Sequence, residues 1–124
     1  MKKKFFGISG GCIFVFEEVK FHLKDGYDKN EVTVCLKRYK SKYAMWIFVE
    51  DIEGEYPTCV LLSDNVKGLI EDLLVFLDEL LLRERLEKLV ISAVHETLKR
   101  AKDKGMVDEE KLLEAEKLLL VRII

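Results

Sequence analysis

The sequence predicts an α+β fold: an antiparallel meander of four to five strands, with C-terminal helices packed on one of its faces. Two observations carry this. Apolar and polar residues alternate with period two through Glu17 to Leu62, interrupted by Gly-, Asp- and Asn-containing turns. At Ser63-Asp64 the period changes, and leucines recur at helical spacing to the end of the chain. With 124 residues, 49% of them hydrophobic, the chain can build one real core but not two ordinary domains. It is read as one domain over 1–124, with an arm or first strand at 1–16, a sheet at 17–62 and leucine-rich helices at 63–124.

Met1-Lys2-Lys3-Lys4 followed by F-F-G-I-S-G-G-C-I-F-V-F has the charged start and apolar run of a signal peptide. Ser9-Gly10-Gly11-Cys12 has the outline of a lipoprotein box but lacks the apolar residue three places before the cysteine. A first strand or loose arm is the expected use. No apolar run approaches the ~18 to 20 residues that span a bilayer, so no membrane association is expected and the location is read as cytoplasmic.

From Glu17 to Lys24, Val19, Phe21 and Leu23 share one face and Lys20, His22 and Lys24 the other. Asp25-Gly26-Tyr27-Asp28-Lys29-Asn30 is turn chemistry. Val32, Val34 and Leu36 then alternate with Thr33, Cys35, Lys37 and Tyr39. A turn near Lys40-Ser41-Lys42 returns the chain. Tyr43, Met45, Ile47 and Val49 alternate with Ala44, Trp46, Phe48 and Glu50. Asp51 to Glu55 forms a further turn. Pro57 keeps Tyr56 extended and suits the start of a last strand, Thr58 to Leu62.

Ser63 or Asp64 caps the first helix, because a short side-chain oxygen accepts free N–H groups of the first turn. Leu69, Ile70, Leu73, Leu74, Leu77 and Leu80 make its broad apolar side. A second helix carries Leu82, Leu86, Leu89 and Ala93 with Val90 and Val94 beside them, and Gly105 is its C-cap. Asp108 caps a last helix, about Glu109 to Arg122, with Leu112, Leu113, Leu119 and Leu120. This is more apolar helix surface than one sheet covers, so a homo-oligomer, dimer or tetramer, is expected. A compact intramolecular helical hairpin is the competing arrangement.

Net charge is -2, unevenly spread. Residues 1–46 carry ten Lys/Arg against five Asp/Glu, and residues 47–124 carry eleven against eighteen. A basic binding face and an acidic back are expected. The chain has no Gln, two Asn and 35% charged residues, a composition of the hyperthermophile kind. Cys12, Cys35 and Cys59 are far apart with no C-x-x-C, so they read as small apolar residues. His22 and His95 are the two histidines, too few to assemble a metal site. Gly7-Ile8-Ser9-Gly10-Gly11 matches G-x-S-x-G but lacks the strand–turn–helix context of a nucleophile elbow. No cofactor and no enzymatic activity are expected.

The stretch that speaks to function is Lys37-Arg38-Tyr39-Lys40-Ser41-Lys42-Tyr43, in which four cations and two tyrosines fall within seven residues. Trp46 and Phe48 follow. Cations meet phosphates and rings stack on bases, and single-stranded nucleic acid needs both on one surface. With Val32, Val34 and Leu36 facing the helices, Lys37 and Tyr39 face the open side, as do Lys20 and Lys24. Trp46 and Phe48 join them if Met45, Ile47 and Val49 point inward. In the competing arrangement the lysines guard an edge hairpin against aggregation while Trp46 and Phe48 sit in the core. The expected partner is single-stranded DNA, with RNA open. The candidate residues are Lys20, Lys24, Lys37, Arg38, Tyr39, Lys40, Lys42, Tyr43, Trp46 and Phe48. A protein-interaction module acting through the leucine-rich helices is the alternative.

From Glu31 onward the chain resembles the single-stranded-DNA-binding sheet of the transcriptional positive cofactor four family. The matching pieces are Val32-Thr33-Val34, the 37–43 hairpin, Trp46-Ile47-Phe48-Val49, Glu53-Gly54-Glu55-Tyr56-Pro57 and Val60-Leu61-Leu62-Ser63. Ser41 stands where that family prefers Gly, and Glu50-Asp51 where it usually has a basic residue. With its leucine-rich C-terminus the chain is more similar, over about residues 17–82, to the ThermoDBP-related single-stranded-DNA-binding proteins of hyperthermophilic archaea. That resemblance implies bases on a basic, aromatic-lined sheet or cleft and oligomerisation through helices.

Overall fold

The computed structural model describes residues 17–26, 30–40, 42–51, 54–55, 58–80 and 84–123. The readings at 1–16, at the turn residues 27–29, Ser41 and 52–53, and at Pro57 and Leu82 lie outside the described residues. Eight elements follow one another: β1 (Glu17–Asp25), β2 (Asn30–Arg38), β3 (Tyr43–Asp51), β4 (Gly54–Glu55), β5 (Cys59–Ser63), α1 (Val66–Leu80), α2 (Glu84–Asp103) and α3 (Glu109–Ile123).

The sheet is the expected antiparallel meander. β1 pairs with β2, β2 with β3, and β5 and the two-residue β4 both pair with β3. α2 packs against β1 and β2, α1 against β5 and β3, and α3 lies on α1 and α2. Strand parity explains why one face draws the helices. Val19, Val32, Val34, Leu36, Met45, Ile47, Val49, Cys59 and Leu61 all point the same way and are buried with the helix residues in one core. Each fully buried Leu or Ile contributes about 1.5–3 kcal/mol of transfer free energy. This face carries most of the sheet's stability.

The first cap differs from the expectation. Asn65, not Ser63 or Asp64, caps α1: its Oδ1 accepts the Gly68 N–H at 2.7 Å. Ser63 instead accepts the Asn65 N–H through its hydroxyl at 3.3 Å. Three residues in a row could have served, and the side chain that reaches the third helical N–H decides. Gly68 permits this approach, since a Cβ there would collide with the Ser63 hydroxyl.

The end of α2 is as expected. Gly105 has φ +82°, the Met106 N–H bonds the Ala101 carbonyl at 2.9 Å, and the Gly105 N–H bonds that of Lys102 at 3.0 Å. This is a Schellman motif, and it leaves Met106 buried behind it. α3 begins at Glu109, with Glu109 and Glu110 at the positive end of its dipole. Its narrow stripe of Leu112, Ala115 and Leu119 rests on the other helices. Arg122 then ties all three together. Its guanidinium donates to both carboxylate oxygens of Glu87, at 2.9 and 3.3 Å, and meets Asp78 of α1 at 2.5 Å. These bonds, Glu87 first, hold its pKa above the ordinary arginine value.

Among the described residues, much of the helical leucine surface is buried within one chain. Leu86, Val90, Ala93 and Val94 are all buried, because α2 lies between the sheet and α3 and needs an apolar surface on two sides. The large apolar side chains exposed on the described helices are Val75, Leu113, Leu120 and Val121. That surface is far smaller than the sequence implies. Among the described residues no helix is long and apolar enough to cross a membrane.

Candidate nucleic-acid interface

The residues that alternate with the core form the opposite face, on which no helix packs among the described residues. Register sets them in cross-strand rows. Glu18, Lys37, Ala44 and Leu62 make the row nearest the β2–β3 turn; Lys20, Cys35, Trp46 and Val60 the next; His22, Thr33 and Phe48 the third; and Lys24, Glu31 and Glu50 the fourth. Trp46 and Phe48 are half-buried on this face, while Met45, Ile47 and Val49 point inward. The arrangement with both rings in the core is therefore excluded.

Charge on the face is graded along the strands. At the turn end, Lys37 lies over the Trp46 ring with its Nζ 4.4 Å from the centroid, and 3.6 Å from Glu18. At the far end Glu31 and Glu50 stand side by side, and Glu31 accepts from His22 at 2.9 Å. Glu18, Glu31 and Glu50 thus share the face with its lysines, which is less basic than the charge asymmetry of the sequence implied. Two lysines of this face and two at its turn end are left without an acidic partner among the described residues. Lys20, Lys24, Lys40 and Lys42 are exposed and make no ion pair among the described residues. On the helices several cations are paired: Lys99 and Arg100 meet Glu96, Lys102 meets Glu109, Lys111 meets Glu114 and Arg122 meets Glu87.

The turn itself is closed by the Tyr39 N–H on the Lys42 carbonyl at 2.8 Å. Arg38 and Tyr43 are register partners there, and their parity sends them to the helix side. Arg38 pairs with Glu17 at 2.9 Å and donates to the Met106 carbonyl at 3.3 Å. The Tyr43 hydroxyl donates to the same carbonyl at 2.9 Å. Of the ten candidates, then, Lys20, Lys24, Lys37, Trp46 and Phe48 share the open face. Tyr39, Lys40 and Lys42 stand at its turn end, and Arg38 and Tyr43 anchor that end to the α2–α3 connection.

The sequence reading missed Val60 and Leu62, which are 51% and 65% exposed on the open face. Cys59-Val60-Leu61-Leu62 is apolar at every position, so no polar residue marks which side faces water. It also missed the Met106 carbonyl, a backbone acceptor that no side-chain pattern reveals.

Burial, then the negative charge of Glu18 and a hydrogen bond to it, push the Cys35 thiol up to about 11, outweighing Lys37 and Lys20. A neutral thiol is a poor nucleophile. The remaining histidine, His95, meets Glu116 across α2 and α3 at 2.5 Å, remote in sequence from the sheet. Among the described residues no group of three His, Cys, Asp or Glu side chains could hold a metal ion. Comparison with protein-family models, with curated proteins and with solved structures finds no match to this chain.

Proposed function

We propose that this chain is a non-enzymatic single-stranded-DNA-binding protein that engages the strand on the open face of its sheet. One observation carries the reading: two aromatic rings, Trp46 and Phe48, lie two residues apart on the sheet face that no described helix covers, with cations above and beside them. Stacking is sequence-tolerant because every base has a π-face, so low sequence preference is expected, with RNA as a secondary ligand. The resemblance of the hairpin and its flanking strands to known single-strand-binding sheets adds to this reading.

Lys37 has a definite part in it. Its contact with Trp46 is worth about 0.5–1 kcal/mol at an exposed site, less than the ~1–3 kcal/mol of a stacked base. A base therefore displaces the ammonium from the ring, and a phosphate then competes for it with Glu18, 3.6 Å away. Lys20 lies in the same cross-strand row as Trp46 and extends the track; Lys40 and Lys42 supply it at the turn end. Homo-oligomerisation belongs on the outer side of α3, where Leu113 and Leu120 are spaced two helical turns apart.

A second reading has an observation of its own. Val60 and Leu62 continue the rows of Trp46 and Ala44, giving an apolar stripe that a protein partner could bury. Salt separates the two. If Lys20, Lys37, Lys40 and Lys42 meet phosphates, the log–log slope of affinity for single strands against salt is roughly -3, from about -0.7 per contact. Oligonucleotide affinity measured between low and high salt tests this. A slope near zero, or no retention on immobilised single strands, overturns the proposal and leaves the apolar stripe as the binding surface.

A further inference from the structure

β1 and β5 are both edge strands among the described residues, and the sequence treats them differently. Hydrogen-bond parity identifies the main-chain groups that each edge offers. The Tyr39 N–H bonds the Lys42 carbonyl at 2.8 Å. In the same register Lys37 exchanges bonds with Ala44, Cys35 with Trp46 and Thr33 with Phe48. Alternate residues of an inner strand bond opposite neighbours, so Tyr43, Met45 and Ile47 turn to β5 and meet Ser63, Leu61 and Cys59. The main-chain groups of Val60 and Leu62 therefore point away from the sheet, and no strand takes them among the described residues. On β1 the same parity turns Glu18, Lys20, His22 and Lys24 outward. Those side chains are charged or polar, and Lys104 donates to the Glu18 carbonyl at 2.9 Å. Such features deter edge-to-edge pairing. Residues 58–63 have no such guard: they carry no charge, and Val60 and Leu62 are more than half exposed on the open face.

We propose that β5 pairs with β5 of a second copy of this chain, antiparallel about a twofold axis at Leu61. Parity selects this register. Val60 of each copy exchanges main-chain hydrogen bonds with Leu62 of the other, so every outward group of the strand is used. Centring the pair on Val60 or on Leu62 instead would carry the other residue onto Asp64 or Thr58, outside the strand. On the helix side Leu61 meets Leu61 of the second copy, and Cys59 meets Ser63. Opposed residues share parity, so both open faces lie on the same side. An uncharged, self-complementary edge fits its own copy and gives a charged peptide nothing to read. A strand pair of five residues is small beside the ~1,200–2,000 Å² of a stable dimer. Association is therefore expected at high micromolar concentration, separate from any contact through Leu113 and Leu120. The pairing stands on the edge alone. Where single strands bind as proposed above, it joins the Trp46–Val60 row of one copy to the Leu62–Ala44 row of the other, and linked sites hold one long strand more tightly.

The test follows amide hydrogen exchange of the full chain by NMR from micromolar to millimolar concentration, beside sedimentation equilibrium. The Cys59 and Leu61 amides, already bonded to β3, serve as the protected reference. The Val60 and Leu62 amides are expected to exchange freely in dilute protein and to become protected as copies associate. Val60→Pro removes only an outward N–H, which an edge strand tolerates. Leu62→Lys adds the charge that the edge lacks. Symmetry applies each change twice, so each should weaken association roughly tenfold or more. A Leu113→Ser/Leu120→Ser variant should keep the protection at Val60 and Leu62. If Val60→Pro does not fold, Leu62→Lys, whose wild-type side chain is exposed, decides alone. Free exchange at Val60 and Leu62 up to millimolar protein overturns the proposal and leaves the edge to another partner. Full protection in dilute, monomeric protein overturns it too, because the chain then covers its own edge. So does association that the edge variants leave unchanged. No oligonucleotide is present in these measurements, so their failure is distinct from a failure of strand binding.

Discussion

β2 and β3 supply both faces of the sheet from one backbone, and the two faces differ in almost every other respect. On the helix side Val32, Val34, Leu36, Met45, Ile47 and Val49 are at most 3% exposed and contain no charge. On the open side Thr33, Cys35, Lys37, Trp46 and Phe48 are half-buried, mixing rings, a thiol and a cation. Each residue of one set is covalently next to a residue of the other. The difference teaches that period two lets a chain place a binding surface one residue from a core without either disturbing the other. It also exposes the arrangement to a single failure, since a one-residue slip in register exchanges the faces entirely.

The sharpest way to break the comparison is to truncate one large side chain on each face. Leu36→Ala should cost about 2–5 kcal/mol, because it removes a fully buried side chain and leaves a cavity beneath α2. Trp46→Ala should cost less stability than this while weakening strand binding by about 1–3 kcal/mol. Denaturant unfolding of both variants, beside their affinity for an oligonucleotide, checks this. Equal destabilisation by the two would mean that the open face is a second core.

Two thiols sharpen it further. Cys59 points inward and Cys35 outward, yet burial pushes both from the ordinary value of 9.0 up to about 11. In the unfolded chain they ionise at the ordinary value, so as pH rises through it the unfolded state releases protons that the folded state keeps. Stability is therefore fully present below about pH 9 and falls toward about pH 11. Cys59→Ala and Cys35→Ala should each flatten part of that fall in thermal melts taken across this window. A Cys35→Ala melt series that follows wild type would show the open face to be wetter around Cys35 than its burial implies.

The smallest effect lies where the two faces meet. Tyr43→Phe removes one hydrogen bond to the Met106 carbonyl and leaves the Arg38 bond in place. A loss of about 0.5–1.5 kcal/mol is expected, with oligonucleotide affinity changed less than by Trp46→Ala. A larger fall in affinity than in stability would make Tyr43 a ligand contact and not an anchor.

Most of the fold was legible because its signals are local. Alternation separated Met45, Ile47 and Val49 from Trp46 and Phe48 but left open which set points inward, and Gly105 marked the end of α2 because a left-handed cap favours Gly. What was not legible depended on partners distant in sequence. Arg38 and Tyr43 looked like part of the basic-aromatic cluster, and only the position of Met106, more than sixty residues on, reveals them as anchors. The helical leucines suggested a large unpaired surface because sequence alone does not say that α3 lies on α1 and α2. Glu18, Glu31 and Glu50 could have been placed on the open face by parity, and their presence there tempers the charge asymmetry seen along the chain.

Strand binding at Trp46 is the claim on which the rest depends, and the chain's composition offers a direct probe of it. Trp46 is the sole tryptophan, so intrinsic fluorescence reports on that ring alone. Titration with an unlabelled single-stranded oligonucleotide should quench the emission saturably, and added salt should restore it as the strand dissociates. Emission that stays constant through saturating oligonucleotide, from a chain that is folded, would contradict the account.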